Sequence, residues 1–291
     1  MSQEPRFGRM IPAMVTPFDE NRELDVDKVQ ALAARLVDGG SDSLIINGTT
    51  GESPTVFYPQ KIDLFRAVVE AVGDRVPVIA NVGDNCTADT VDFAREVAEL
   101  GVDGFMCVVP YYNKPPQEGI YQHFRTIANA VELPIILYNI PGRCVVNMEA
   151  ETTLRLAHEC ANVVAVKEAS GKLDQVKAIV EDAPEGFAVY SGDDAATYDI
   201  MRLGGAGVIS TIGNVAPGRM KEIVDLCAAG DWEAAAAANE ALMPLMKGLF
   251  ETSNPILVKE ALKLLGFPVG GVRLPLFLSM KGGKPVCQNR S

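Results

Sequence analysis

Eight times along the chain a short apolar run leads through a loop into an amphipathic helical pattern, and this alternation restricts the possible folds more than any single motif. The runs are Met10 to Val15, Ser43 to Asn47, Val76 to Val82, Gly104 to Val109, Pro134 to Asn139, Val163 to Lys167, Phe187 to Ser191 and Gly207 to Ser210. Apolar runs this short read as strands buried on both faces. The helical patterns carry end signals: DVDKVQALAARLVDGG has Asp25 or Asp27 near its first turn and Gly39 at its end, and TADTVDFAREVAELG opens on Thr87 as an expected cap. The pattern predicts an α/β fold, a closed parallel (β/α)8 TIM barrel, with an open doubly wound sheet as the less favoured solution. No GxGxxG follows the first run, so a dinucleotide-binding sheet lacks its fingerprint.

After the eighth unit come DWEAAAAANEALMPLMKGLF and NPILVKEALKLLG, the second expected to start with Asn254 and Pro255 as cap and first-turn residue. We therefore assign residues 1–229 to a catalytic barrel and 230–291 to a C-terminal helical appendage with an irregular tail. From Arg273 the sequence RLPLFLSMKGGKPVCQNRS loses helical periodicity, and loose order is expected there. A chain of 291 residues with 48% hydrophobic content can bury a core large enough for one such domain.

Charge and side-chain inventory narrow the chemistry. The 26 basic against 38 acidic residues disfavour nucleic acid and anionic membrane surfaces, so an anionic substrate needs cations placed locally. Six cysteines are scattered without a CxxC pair, and no signal peptide or bilayer-spanning run is evident. A cytoplasmic protein with reduced thiols is expected. Only His123 and His158 are present, and neither belongs to a metal-ligand spacing, which argues against metal-centred and Ser-His-Asp chemistry; no cofactor is implied.

In a barrel of this type the site lies at the carboxyl ends of the strands. The sixth run delivers Lys167 there. Desolvation lowers an amine's pKa, and a neutral amine can attack a ketone to give an imine; equally, the ammonium could simply reach water at the rim. Tyr138 closes the fifth run, and Arg143 follows in LYNIPGRCV, where a guanidinium can fork a carboxylate or stay solvated. The second run ends in NGTTGES, which reads either as a close-approach loop or as a tight turn with a hydroxyl cap. In VVPYYNKPP, Tyr111 and Tyr112 point opposite ways if extended, so they are not expected to share one role. In YSGDDAATY, Gly192 permits close approach, and Asp193 and Asp194 are expected to cap the next helix. A phenol near Lys167 could relay protons during imine chemistry.

The GTTGES loop, PYYNKPPQEG, YNIPGR, VKEASG, SGDD and the NP-led late helix together resemble the dihydrodipicolinate synthase and N-acetylneuraminate lyase family of class I, Schiff-base aldolases, in order from Ile11 to about Leu276. The resemblance implies a homotetramer built as a dimer of dimers. It also implies that Lys167 forms an imine with pyruvate, and that Tyr138 shuttles protons, linked through Thr50 to Tyr112 of a neighbouring subunit. Thr49 and Thr50 would hold the pyruvyl carboxylate through their N–H groups, Arg143 the carboxylate of the aldehyde, and Gly192 and Ile209 would give backbone contacts.

Thr50, Tyr112 and Arg143 match the synthase branch, which implies condensation of pyruvate with L-aspartate 4-semialdehyde to 4-hydroxy-tetrahydrodipicolinate, the entry to diaminopimelate and lysine biosynthesis. A sugar-acid aldolase of the same family and a catalytically idle barrel are the alternatives. The chain departs from the pattern at Cys144 and Val145, where many synthases have Thr or Ser and then Gly; this bears on how Arg143 is held. It departs again after RLPL, where the family continues into a final helix. The family's inhibitory lysine site maps to Ser53, Pro54, Tyr58, Lys61, Asn85, Asp89 and Tyr111. Tyr58 and Lys61 replace histidines of sensitive members, and the added Lys61 cation implies low sensitivity to lysine by like-charge repulsion. Strong inhibition of turnover by lysine at modest concentration would refute that expectation.

Overall fold

The structure is a computed structural model that describes residues 4–281 and 284–285. Its eight parallel strands are β1 (Met10–Pro12), β2 (Leu44–Ile46), β3 (Val78–Asn81), β4 (Gly104–Val108), β5 (Ile135–Asn139), β6 (Val163–Glu168), β7 (Ala188–Ser191) and β8 (Gly207–Ser210). Neighbours pair in the order β1-β8-β7-β6-β5-β4-β3-β2. A parallel bridge between Ala13 and Ile45 joins the two ends and closes the barrel. The doubly wound alternative is excluded, because an open sheet keeps two edges.

Strand alternation sorts the side chains into two cores. Ile11, Ala13, Ile45, Ile79, Met106, Ile136, Tyr138, Ala165, Tyr190 and Ile209 fill the barrel interior. Their alternates, such as Met10, Leu44, Val78, Phe105, Leu137, Val166 and Val208, face the helices in the larger second cluster. This double burial is why the strands read as unbroken apolar runs.

The surrounding layer is α1 (Val26–Asp38), α2 (Tyr58–Val72), α3 (Thr87–Ala98), α4 (Gln117–Ala130), α5 (Pro141–Cys144), α6 (Ala150–Glu159), α7 (Leu173–Asp182), α8 (Thr197–Arg202) and α9 (Pro217–Ala229). Helices α10 (Trp232–Gly248) and α11 (Ile256–Leu264) follow as the C-terminal appendage. Asp25 caps α1 as expected, accepting the Lys28 N–H at 2.9 Å. Two other expected caps are corrected. Helix α3 has Cys86 at its cap position, and the Thr87 hydroxyl instead meets His123 Nδ1 at 2.8 Å. Asn254 does not cap α11, whose cap position is Pro255; its side chain turns inward to the barrel mouth.

The appendage is fastened by buried charge. Lys259, on α11, and Glu52 are each 1% exposed in their side chains and pair at 2.6 Å. Burial nonetheless holds the Lys259 amine down at about 8. Arg273 lies over the Phe18 ring at 4.1 Å and donates its backbone N–H to Glu52 at 2.8 Å. The expected loosening of the chain at Arg273 is thus wrong for that residue, which has several buried partners. Met280–Lys281 and Lys284–Pro285 form a short antiparallel pair, and residues 282–283 and 286–291, Cys287 among them, lie outside the described residues. Among the described residues no helix is long and apolar enough to cross a membrane, and Cys86, Cys107, Cys144, Cys160 and Cys227 are free.

Candidate active site

Register places the central pair side by side. Tyr138 on β5 pairs with Lys167 on β6, and Lys167 in turn with Tyr190 on β7. All three point into the barrel, and the Lys167 ammonium nitrogen lies 4.3 Å from the centre of the Tyr138 ring. Lys167 is 5% exposed and Tyr138 is 3% exposed. Burial, joined by the Arg143 guanidinium, pulls the Lys167 amine down to about 8, with the Asp194 carboxylate opposing. The same burial pushes the Tyr138 phenol up to about 12, which keeps it protonated, while the Thr49 side chain and Arg143 pull the other way. A neutral phenol beside a partly neutral amine is a pair suited to moving protons during imine chemistry.

Gly192, the residue after β7, closes against this pair. A Cβ there would stand 3.2 Å from Lys167 Cγ and 2.7 Å from Ala169 Cβ, so any side chain would press on the lysine stem. Its N–H donates to the Glu168 carbonyl at 2.8 Å. Ile209 packs in the barrel interior and pairs with Ile11.

The cleft above Tyr138 has a volume of about 240 Å³ and is lined by Thr49, Val108, Tyr111, Ile140, Arg143 and Cys144, among others. Arg143 is exposed on the short helix α5, the one guanidinium in that lining. The chain then bends through Val145, at φ 62°. A β-branched residue in the left-handed region costs about 1–2 kcal/mol, and here the departure from the family's glycine falls on the position that needs glycine.

The two threonines of NGTTGES divide their work differently from expectation. Thr49 faces the cleft and the Tyr138 phenol. Thr50 is turned away: its hydroxyl receives the Asn254 Nδ2–H at 2.9 Å and lies 3.4 Å from the Thr211 hydroxyl. Of the two threonines it is thus Thr49, not Thr50, whose side chain meets the Tyr138 phenol, because successive side chains diverge along the loop. Among the described residues neither the Thr49 nor the Thr50 N–H donates to a backbone acceptor.

Tyr112 is 88% exposed, at φ 70°, and does not enter the cleft of its own chain. Tyr111 turns the other way and donates its hydroxyl to Asp84 at 3.2 Å. Asp193 caps the turn after β7 through the Ala195 N–H. Asp194 does not cap it. It is buried, accepts the Thr211 and Ile212 N–H groups and the Ser210 hydroxyl, and is pushed up to about 6 by burial. Sequence reasoning missed Glu168 as well. Its buried carboxylate accepts from Asn139, Gln175 and the Ser170 N–H, tying the strand ends beside Tyr138 and Lys167.

Ser53, Tyr58, Lys61 and Asp89 line a second cleft of about 370 Å³, which adjoins the first through Ser53, Lys61, Asn81, Gly83 and Asp84. Pro54 and Tyr111 line the first cleft, and Asn85 accepts the Asn113 amide through its carbonyl. Asp84, Asp89 and Asp92 share the second cleft with Lys61, so its cation is not the only charge an incoming ligand would meet. Among the described residues no group of three or more His, Cys, Asp or Glu gathers to hold a metal ion.

A Schiff-base aldolase of barrel type is the class of protein this site defines, and the comparisons with known proteins agree. The family model of the dihydrodipicolinate synthetase family matches residues 6–286. A 4-hydroxy-tetrahydrodipicolinate synthase of Moorella thermoacetica is 57% identical over 93% of this chain and 92% of its own. The corresponding synthase of Bacillus subtilis is 48% identical over 93% of each chain. The crystal structure of a dihydrodipicolinate synthase of Bacillus anthracis superimposes with a TM-score of 0.93 at 42% identity, over 96% of this chain and 95% of the other. The chain belongs to the dihydrodipicolinate synthetase family.

Two outcomes follow from this geometry. Val145→Gly removes a strained conformation and little burial, so it should stabilise the fold by about 0.5–1 kcal/mol, read from the midpoint of urea unfolding. A fall in the midpoint would show that Val145 is held by contacts of its own. Because only the free amine attacks, the initial rate of borohydride-trapped imine formation should rise about tenfold per pH unit and level off near the Lys167 value of about 8. A rate that keeps climbing towards the ordinary lysine range would contradict the buried amine.

Proposed function

We propose that this protein condenses pyruvate with L-aspartate 4-semialdehyde to 4-hydroxy-tetrahydrodipicolinate, the entry step to diaminopimelate and lysine, in the cytoplasm. The observation that carries the reading is the buried Lys167 amine against Tyr138 at the floor of a cleft that also presents Arg143. The sequence relatives named above are synthases of this product, and that supports the choice of branch.

The free amine of Lys167 attacks the pyruvate ketone to give a carbinolamine, and protonation of its hydroxyl by Tyr138 lets water leave as the imine forms. The pyruvyl carboxylate sits on the Thr49 and Thr50 N–H groups. The Tyr138 phenolate left by that transfer removes a methyl proton from the imine to give the enamine, whose carbon attacks the aldehyde carbon of the semialdehyde, and Tyr138 returns that proton to the aldehyde oxygen. Arg143 holds the semialdehyde carboxylate. The substrate's own amino group then attacks the imine carbon, which closes the ring and releases Lys167.

A tetramer completes the site in this reading. The exposure of Tyr112, outside the cleft of its own chain, supports a role for it in the site of a second copy. The exposed Phe57 and Tyr58 are further aromatic side chains of the kind enriched at interfaces.

Incubation with pyruvate and borohydride, followed by peptide mapping, should place one adduct on Lys167, and Lys167→Ala should abolish it. Arg143→Ala should raise the half-saturating semialdehyde concentration about tenfold or more while leaving the pyruvate adduct intact. An adduct accompanied by turnover of sugar aldehydes alone would mean a sugar-acid aldolase instead. No adduct at Lys167 would leave an idle barrel.

A further inference from the structure

The NGTTGES loop lines the cleft through Thr49 and, among the described residues, leaves the Thr49 and Thr50 N–H groups without a backbone acceptor, while other side chains of the loop are tied to the C-terminal appendage. The ties are specific. Asn254, in the turn before α11 and 6% exposed, donates Nδ2–H to Thr50 Oγ1 at 2.9 Å. Two residues along, the Glu52 carboxylate holds the Lys259 ammonium at 2.6 Å. From the barrel side the Gly51 carbonyl accepts the Thr16 hydroxyl at 2.6 Å.

Of these contacts, the one from Asn254 lands on a residue whose own N–H donates to no backbone acceptor among the described residues. An asparagine kept at a helix start for capping uses its side-chain oxygen as the acceptor. Here the Asn254 Oδ1 is buried with no hydrogen-bond partner among the described residues, and the amide nitrogen is the engaged half. The bond fixes the Thr50 side chain one atom away from its backbone. It also makes the hydroxyl an acceptor on that side, so its own proton is left to point towards Thr211, 3.4 Å away.

We propose that Asn254 is a positioning residue for the carboxylate cradle: through the Thr50 hydroxyl it sets the direction of the Thr49 and Thr50 N–H groups, so that the appendage completes the binding site of a 2-oxo acid. The proposal rests on the pyruvate reading above. It gives the appendage a part in binding, although its helices lie outside the eight strand–helix units and contribute no residue to the cleft lining.

The test is a double-mutant cycle read by borohydride trapping over a range of pyruvate concentrations, with the full-length chain, Asn254→Ala, Thr50→Val and the two combined. Asn254→Ala should raise the half-saturating pyruvate concentration about three- to tenfold, the scale of one neutral hydrogen bond. Thr50→Val should do the same, and the double variant should be no worse than the worse single. The half-saturating semialdehyde concentration should not move. An unchanged pyruvate half-saturation in Asn254→Ala overturns the proposal, as do simply additive effects, which a general structural role would give. If Asn254→Ala does not fold, Thr50→Val decides alone, and an unchanged value overturns the proposal. Absence of any adduct at Lys167 in the parent protein overturns the pyruvate reading and this inference with it, whereas a parent adduct with unmoved variants overturns this inference only.

Discussion

Burial of the Lys167 amine at the end of β6 is the constraint on which the mouth of the barrel depends. A charge in that position loses hydration that Asp194 only partly replaces, and the amine is pulled down to about 8. That loss leaves part of the amine unprotonated near neutral pH, and it requires dry neighbours. Tyr138, raised to about 12 by the same burial, is a neutral neighbour that still carries a proton. Arg143 adds a second cation from the exposed rim, which lowers the Lys167 amine further and gives an anion a partner.

The loops that surround this pair are held by polar contacts reaching across the chain. Asn47 and Asn81 exchange amide-to-carbonyl bonds at 3.0 and 2.9 Å, which join the ends of β2 and β3. The Glu168 carboxylate at the end of β6 accepts from the Asn139 amide at the end of β5 and from the Gln175 amide on α7. The Lys259–Glu52 pair, with the Lys259 amine 4.1 Å from the centre of the Phe18 ring, joins α11 to the loop after β2. A buried ion pair contributes little net stability, because desolvation offsets most of the attraction, but removing one partner strands a charge and is costly. Its value here is geometric, since it fixes where the loop and the appendage meet.

Backbone strain follows the same distribution. Asn47, Glu52, Tyr112, Lys114 and Val145 all take positive φ, and all lie in segments that follow β2, β4 or β5. Left-handed backbone at non-glycine residues costs energy and persists only where surrounding contacts enforce it. The rim is therefore the part of the molecule where shape is maintained against local preference, in contrast to the barrel wall, where local preference and packing agree.

The sequence by itself determined the eight strand–helix units, the strand-end placement of Lys167 and Tyr138, and the closed barrel, because periodicity is local and double burial leaves unbroken apolar runs. It also carried the family, since the motifs occur in one order along the chain. What only the tertiary structure decided was which way adjacent polar residues face. Thr49 and Thr50 are equivalent as letters, yet one meets Tyr138 and the other Asn254, about two hundred residues away in the chain. Asn254 and Thr87 look like helix caps, and Asp194 like a second one, until long-range partners claim their side chains. Those partnerships depend on the closed barrel, which brings the ends of its strands and the late helices to one rim, and no local window of sequence contains both members of such a pair.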